Sequence, residues 1–263
     1  MNAKNAGAGL EQLGIVKEAG FDYVELPIAQ LMDLTEAEFD QAVDQLRALD
    51  LPCISCNNFF PTTFRLTGET PDSAAAIDDY VRRAFARMQR LGATTVVFGS
   101  GPAKNVPDGF PLEQGYAQVV ELLRRIGPIA GSHGVKIAIE PLRRAECNLI
   151  NTFEEGCRLK DDVGDDNVMV LVDFYHMTME GEPASNLLDR GLAYLRHVHF
   201  AAPEGRCFPP APDNAVYGAF ADALKKLDYP GGVSLEAFSN APDAQAAAAF
   251  SVMQALLKNP VKQ

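Results

Sequence analysis

Four stretches of this 263-residue sequence run through apolar residues and stop at a side chain able to bind a divalent cation. Residues 135–140 (VKIAIE) stop at Glu140, and 167–176 (NVMVLVDFYH) at Asp173 and His176. Residues 195–199 (LRHVH) stop at His199, and 232–236 (GVSLE) at Glu236. Taken singly, each is a buried polar residue bonded to some neighbour. Taken together, Glu140, Asp173, His199 and Glu236 form one candidate metal site, because all four lie at the same kind of position. Three carboxylates favour a hard ion and one imidazole moves the preference toward the transition series, so Mn²⁺ is expected, with Co²⁺ or Mg²⁺ as alternatives. No thiolate is needed.

The elements that must carry these residues follow from the apolar runs. A strand that is apolar on both faces belongs to a parallel sheet covered by helices, and the carboxyl end of such a strand is where an α/β barrel places its chemistry. Helical and extended patterns alternate along the chain, which is the signature of a (β/α)8 TIM barrel, and roughly 250 residues is the usual size of one. A single domain over 1–263 is expected. Seven strands and eight helical segments are countable. Helices at 10–19 and 73–91 stop at Gly20 and Gly92, and Thr35 with Glu38 and Thr152 with Glu155 read as capping boxes. The piece that is weak or missing is the first strand: residues 1–7 (MNAKNAG) are too polar and too rich in Asn, Gly and Ala. Either a short irregular stretch closes the barrel there, or the chain begins later than its ancestor's did, leaving a seam that a partner subunit covers.

Composition narrows the partners. The balance of 35 acidic against 23 basic residues, net −12, opposes nucleic acid or an anionic membrane surface, both of which reward clustered Lys and Arg. No apolar run reaches membrane-spanning length, and the first residues lack the apolar core of a signal peptide, so a cytoplasmic location is expected. Five scattered cysteines suggest reduced thiols. Cys53 and Cys56 spell CxxC, but three positions apart on a regular strand they would point to opposite faces.

The segments IEPLRRAECNLINT (139–152), DFYH (173–176), HVH (197–199) and SLE (234–236) resemble the ketose 3-epimerases, the D-tagatose and D-psicose 3-epimerase group of the xylose-isomerase-like barrels. The resemblance runs over most of the chain after residue 10 and is best in the C-terminal half. It implies that Glu140, Asp173, His199 and Glu236 hold the metal and that Glu140 and Glu236 are also the catalytic acid–base pair. It further implies that Glu146, His176 and Arg206 bind substrate, Arg206 falling one position later than the arginine of the group. The group's Gly-Arg-Gly element is replaced by CFPPAPDN, so the particular sugar does not carry over. The implied reaction is C3 epimerisation of a free ketose. A cation chelated by the carbonyl and adjacent hydroxyl stabilises an enediolate, while one glutamate on each face removes or returns the proton. Similar barrels act as hydroxypyruvate isomerases, inosose dehydratases and subunits that cleave C-linked sugars, and a non-catalytic sugar-binding subunit is a further alternative. The expected partners are a small-molecule carbohydrate and further copies of the chain, as a dimer or tetramer.

Other polar residues have weaker claims. His197, two positions before His199, points into the barrel one layer deeper and reads as a hydrogen-bonded core histidine. His133, at a helix end, meets solvent. Glu25 either bonds sugar hydroxyls or is structural. Asn57, Asn58, Phe59 and Phe60 either line the pocket or pack.

Overall fold

A computed structural model of the chain describes residues 7–257. After a single 3-10 turn at Leu10–Gln12, the chain alternates helix and strand: α1 (Leu13–Ala19), β1 (Val24–Pro27), α2 (Ile28–Met32), α3 (Glu36–Ala48), β2 (Cys53–Asn57), α4 (Ala74–Leu91) and β3 (Thr95–Phe98). It continues through α5 (Gly101–Lys104), α6 (Leu112–Ser132), β4 (Lys136–Ile139), α7 (Phe153–Val163), β5 (Val168–Asp173), α8 (Phe174–Met179), α9 (Asn186–Arg190) and β6 (Leu195–Phe200). The last elements are α10 (Asn214–Lys226), β7 (Val233–Leu235) and α11 (Pro242–Leu257). The seven strands form one parallel sheet in the order β1 to β7, wound into a nearly closed barrel with the helices outside. Three short helices beyond the eight read from the sequence, α2, α5 and α8, follow the carboxyl ends of β1, β3 and β5, directly or after two residues, and contribute to the rim around the site.

Local chemistry sets these boundaries. Thr35 and Glu38 make the expected capping box at α3. At α7 only half of one forms: Thr152 accepts from the Glu155 amide, but the Glu155 carboxylate takes the amide of Asn151. α1 and α4 end at Gly20 and Gly92, both in the left-handed conformation that glycine adopts without strain.

Two irregularities decide which side chains face inward. Val24 pairs with Cys53 and Glu25 with Ser55, so Ile54 is an unpaired bulge in β2. The bulge shifts the alternation by one. Cys53 and Cys56 therefore share a face instead of opposing each other, and their thiols interact, which with burial raises that of Cys56. Both are free and buried, as suits inert core residues. Ser55 and Asn57 turn inward in their place. A matching bulge at Arg196 in β6 sets His197 opposite Leu171 and His199 opposite Asp173.

The barrel interior is layered. Val97, Ala138 and Leu171 make a small apolar cluster on one side. Glu25, Ser55, His197 and Ser234 make a polar cluster on the other. Above both lie the metal-type side chains.

The candidate first strand, residues 1–7, lies outside the described residues except for Gly7. Among the described residues no ladder joins β7 to β1. They are linked only through side chains, with Tyr23 Oη 3.2 Å from Ser234 Oγ. A cavity of about 470 Å³, lined by Leu13, Val16, Phe250 and Met253, occupies the seam. Also among the described residues, no helix is long and apolar enough to cross a membrane.

Candidate metal and active site

Glu140 follows the last residue of β4, Asp173 ends β5, His199 lies in β6, and Glu236 follows β7. Their ligand atoms converge to within 4.8 Å of one another. His199 Nδ1 lies 3.2 Å from Glu140 Oε1 and 3.0 Å from Glu236 Oε2. Each carboxylate has its own support. Asp173 caps α8, its Oδ1 accepting from the Tyr175 amide at 2.8 Å. Glu236 Oε1 accepts from Asn57 Nδ2 at 2.8 Å. Glu140 is held through its backbone, whose carbonyl accepts from the buried Lys104 ammonium at 3.2 Å. Burial lowers the Lys104 pKa. Gly99, at the end of β3, leaves room for the Glu140 carboxylate: a Cβ there would overlap Glu140 Oε2.

The three residues expected to bind substrate are in the same place. Arg206, held at a left-handed φ of 48°, donates from one nitrogen to Asp173 Oδ2 at 2.9 Å and to Glu236 Oε2 at 2.5 Å. His176 is buried, and its Nδ1 accepts from the Arg143 amide at 3.3 Å. The proton of the neutral ring then sits on Nε2, which has no hydrogen-bond partner and lies between Asp173 and Glu146, 3.6 and 4.0 Å away. Glu146 Oε1 is fixed by Arg143 Nε at 2.7 Å.

These residues open on a cavity of about 720 Å³. Its outer wall, formed by Gln30 in α2 and Asp33 at its end, Thr62 and Thr63 after β2, and Ser100 after β3, was not signalled by the sequence. Asn58 and Phe60 line it as well, whereas Phe59 packs in the core, its ring centroid 5.4 Å from that of Phe85. Glu25 does not face this cavity; it lies behind His199 and His197, with which it makes contacts of 2.7 and 2.9 Å. His197 is the buried, hydrogen-bonded core histidine its position implied, 2.9 Å from Ser234 Oγ. His133 caps the end of α6 and is half-buried against the Phe85 ring.

The electrostatics are those of crowded carboxylates in a dry place. Burial raises Glu140 above the usual carboxylate range, with Glu236 adding to the rise. Asp173 is pushed up to about 7, again by burial first and then by Glu140. Burial would raise Glu236 too, but His199 and Arg206 outweigh it and hold the group down at about 2. His199 is raised well above its ordinary value by Glu25 and Glu236 against the effect of burial. His176 is lowered to about 3, chiefly by burial and then by Arg206. Three converging carboxylates and an inward imidazole nitrogen, with an unpartnered N–H beside them, make a donor set that fits a divalent cation.

Comparison with known proteins gives a consistent picture. Residues 13–256 match the sequence pattern of a family described as the xylose isomerase-like TIM barrel. The chain is 26% identical over 222 residues to the L-ribulose 3-epimerase of Methylomonas sp. strain DH-1, covering 84% of this chain and 76% of that one. It is 26% identical over 226 residues to the D-psicose 3-epimerase of Agrobacterium fabrum, covering 85% and 77%. In three dimensions it superposes on the D-psicose 3-epimerase of Clostridium cellulolyticum H10, solved with D-tagatose, with a TM-score of 0.82 over 95% of this chain and 94% of that one, at 20% identity.

Proposed function

Since the chain belongs to the xylose isomerase-like TIM-barrel family, we propose that it is a divalent-metal-dependent ketose 3-epimerase acting on a free sugar. The observation that carries this reading is the pair Glu140 and Glu236. They arrive from β4 and β7, three strands apart around the barrel, and reach the same nitrogen of His199. The 3-epimerase names of the relatives support the choice of reaction.

Glu140, Asp173, His199 and Glu236 would hold the metal, with Mn²⁺ the best match to the donor set and Co²⁺ or Mg²⁺ next. A divalent cation there would polarise the carbonyl and neighbouring hydroxyl of a ketose and so acidify the proton on C3. The ionised member of the pair takes that proton from one face while the protonated member gives its own to the other, Glu140 being the base in one direction and Glu236 in the other. His176 offers its Nε2–H to a sugar oxygen beside the site. Glu146, fixed by Arg143, accepts from a hydroxyl. Arg206 balances the charge of Asp173 and Glu236. A dimer or tetramer is the expected assembly, with the seam between β1 and β7 as the face a second copy would cover.

The test is incubation of Mn²⁺-loaded protein with D-fructose, D-psicose, D-tagatose and L-ribulose, followed by chromatography. Interconversion of a sugar with its C3 epimer is expected for at least one of them. Conversion of none, with metal bound, would overturn the assignment.

A further inference from the structure

Behind the site, His199 has a third carboxylate neighbour, on its other ring nitrogen. Its Nδ1 faces Glu140 and Glu236, while its Nε2 faces Glu25 Oε1 at 2.7 Å. Neither Nε2 nor Oε1 has a hydrogen-bond partner, so each is the other's close polar neighbour, in an ion-pair contact that is short but not aligned. Both side chains are almost wholly buried. The other oxygen of Glu25 is fixed from three strands: Ser55 Oγ of β2 donates at 2.5 Å, Ser234 Oγ of β7 lies at 3.3 Å, and His197 Nε2 of β6 at 2.9 Å. The carboxylate is thereby clamped with one oxygen presented to His199.

Resting on the metal-site reading above, we propose that Glu25 is a positioning residue that fixes the tautomer and ring orientation of His199, keeping the proton on Nε2 and the lone pair of Nδ1 aimed at the cation. An imidazole can bind a cation only through an unprotonated nitrogen, so the proton must reside on the other one, and a carboxylate placed there both orients the ring and makes the ligating nitrogen more basic. Asp173 and Glu236 have comparable supports in the Tyr175 amide and Asn57. Glu25 gives the imidazole its own. A buried hydrogen-bond network that only stabilises the barrel would account for the serines and His197. It would leave unexplained why the one carboxylate oxygen without other partners is turned to the metal histidine.

The same atoms also admit a competing arrangement, in which Glu25, His197 and His199 bind a second cation. Titration with Mn²⁺, followed by the electron paramagnetic resonance of free Mn²⁺, separates the two. Wild-type protein should bind one equivalent. Glu25→Ala should bind it about 10–100-fold more weakly, and Glu25→Gln, which retains an acceptor oxygen, should recover part of the loss, both with circular dichroism like wild type. Independently of any variant, nitrogen-15 spectra of histidine-labelled wild type loaded with Zn²⁺ should show His199 protonated at Nε2. Unchanged Mn²⁺ affinity in folded Glu25→Ala, a proton on Nδ1, or a second equivalent lost with Glu25 would each overturn the proposal. Absence of any cation binding by wild type would instead overturn the metal site itself.

Discussion

In the proposed reaction Glu140 and Glu236 are the acid–base pair, because each combines a place at a strand end with access to a shared candidate cation-binding point. Glutamine is nearly isosteric and keeps hydrogen-bonding capacity but cannot accept the proton. Glu140→Gln and Glu236→Gln should each lower kcat by at least about 10²–10⁴-fold while far-ultraviolet circular dichroism is unchanged. A variant with full activity would remove that glutamate from the acid–base pair. Gly99 makes a subtler prediction. Because a methyl group there would overlap Glu140 Oε2, Gly99→Ala should displace the carboxylate and weaken both Mn²⁺ binding and turnover without changing the barrel. Wild-type affinity and rate in this variant would show that Glu140 needs no such clearance.

At the scale of elements, much of the candidate site was legible because its metal-type side chains end apolar runs, and an acid or imidazole closing a run buried on both faces stands out against its neighbours. The strands of Glu140, Asp173, His199 and Glu236 were readable for that reason. The surroundings of Glu25 were not: it also stands at a strand, but its hydrogen bond from Ser55 depends on the bulge at Ile54, which places Ser55 rather than Cys53 inward beside it. A bulge is defined by the partner strand's register and leaves no mark in its own sequence. The short helices α2, α5 and α8 were missed because four to six residues give too little periodicity to read, and the cavity wall they frame was missed with them. The helical layer is tied by charge as well as by packing. Arg87 and Arg90 of α4 both pair with Glu36 of α3, at 2.6 and 2.7 Å, and hold its carboxyl below the usual glutamate range. A depressed folded value means that this contribution is fully present above the unfolded pKa of about 4.3 and is lost as pH falls through the folded one. The melting temperature of Glu36→Gln should therefore lie below that of wild type at pH 7, and the gap should narrow as the pH is lowered into the acid range. A gap of unchanged size would contradict this origin.

For the whole molecule, a cation bound at the candidate site would link the fold to the proposed function. Four strands deliver one ligand each, so a bound ion favours the folded barrel over the unfolded chain. Chelation should abolish activity, and Mn²⁺ or Co²⁺ should restore it. At a free concentration of a hundred times Kd, Mn²⁺ should add about 2.7 kcal/mol to stability, visible as a rise in Tm by calorimetry. Full activity in protein verified to be free of metal would contradict the site. The negative net charge suits this arrangement, since it attracts a divalent ion and repels polyanions. The seven described strands suffice to bring the four candidate ligands together, because these lie on or just after the consecutive strands β4 to β7, the last of which borders the seam.

The most direct test of the central claim is solvent exchange. Mn²⁺-loaded protein in D₂O would be given a panel of ketoses and followed by proton magnetic resonance. Proton transfer by Glu140 and Glu236 at the carbon next to the carbonyl predicts loss of the C3 proton signal from at least one ketose, together with appearance of its deuterated C3 epimer. Exchange confined to C1 or C2 would make the chain an aldose–ketose isomerase, and no exchange in any sugar with metal bound would contradict proton-transfer chemistry on ketoses at this site.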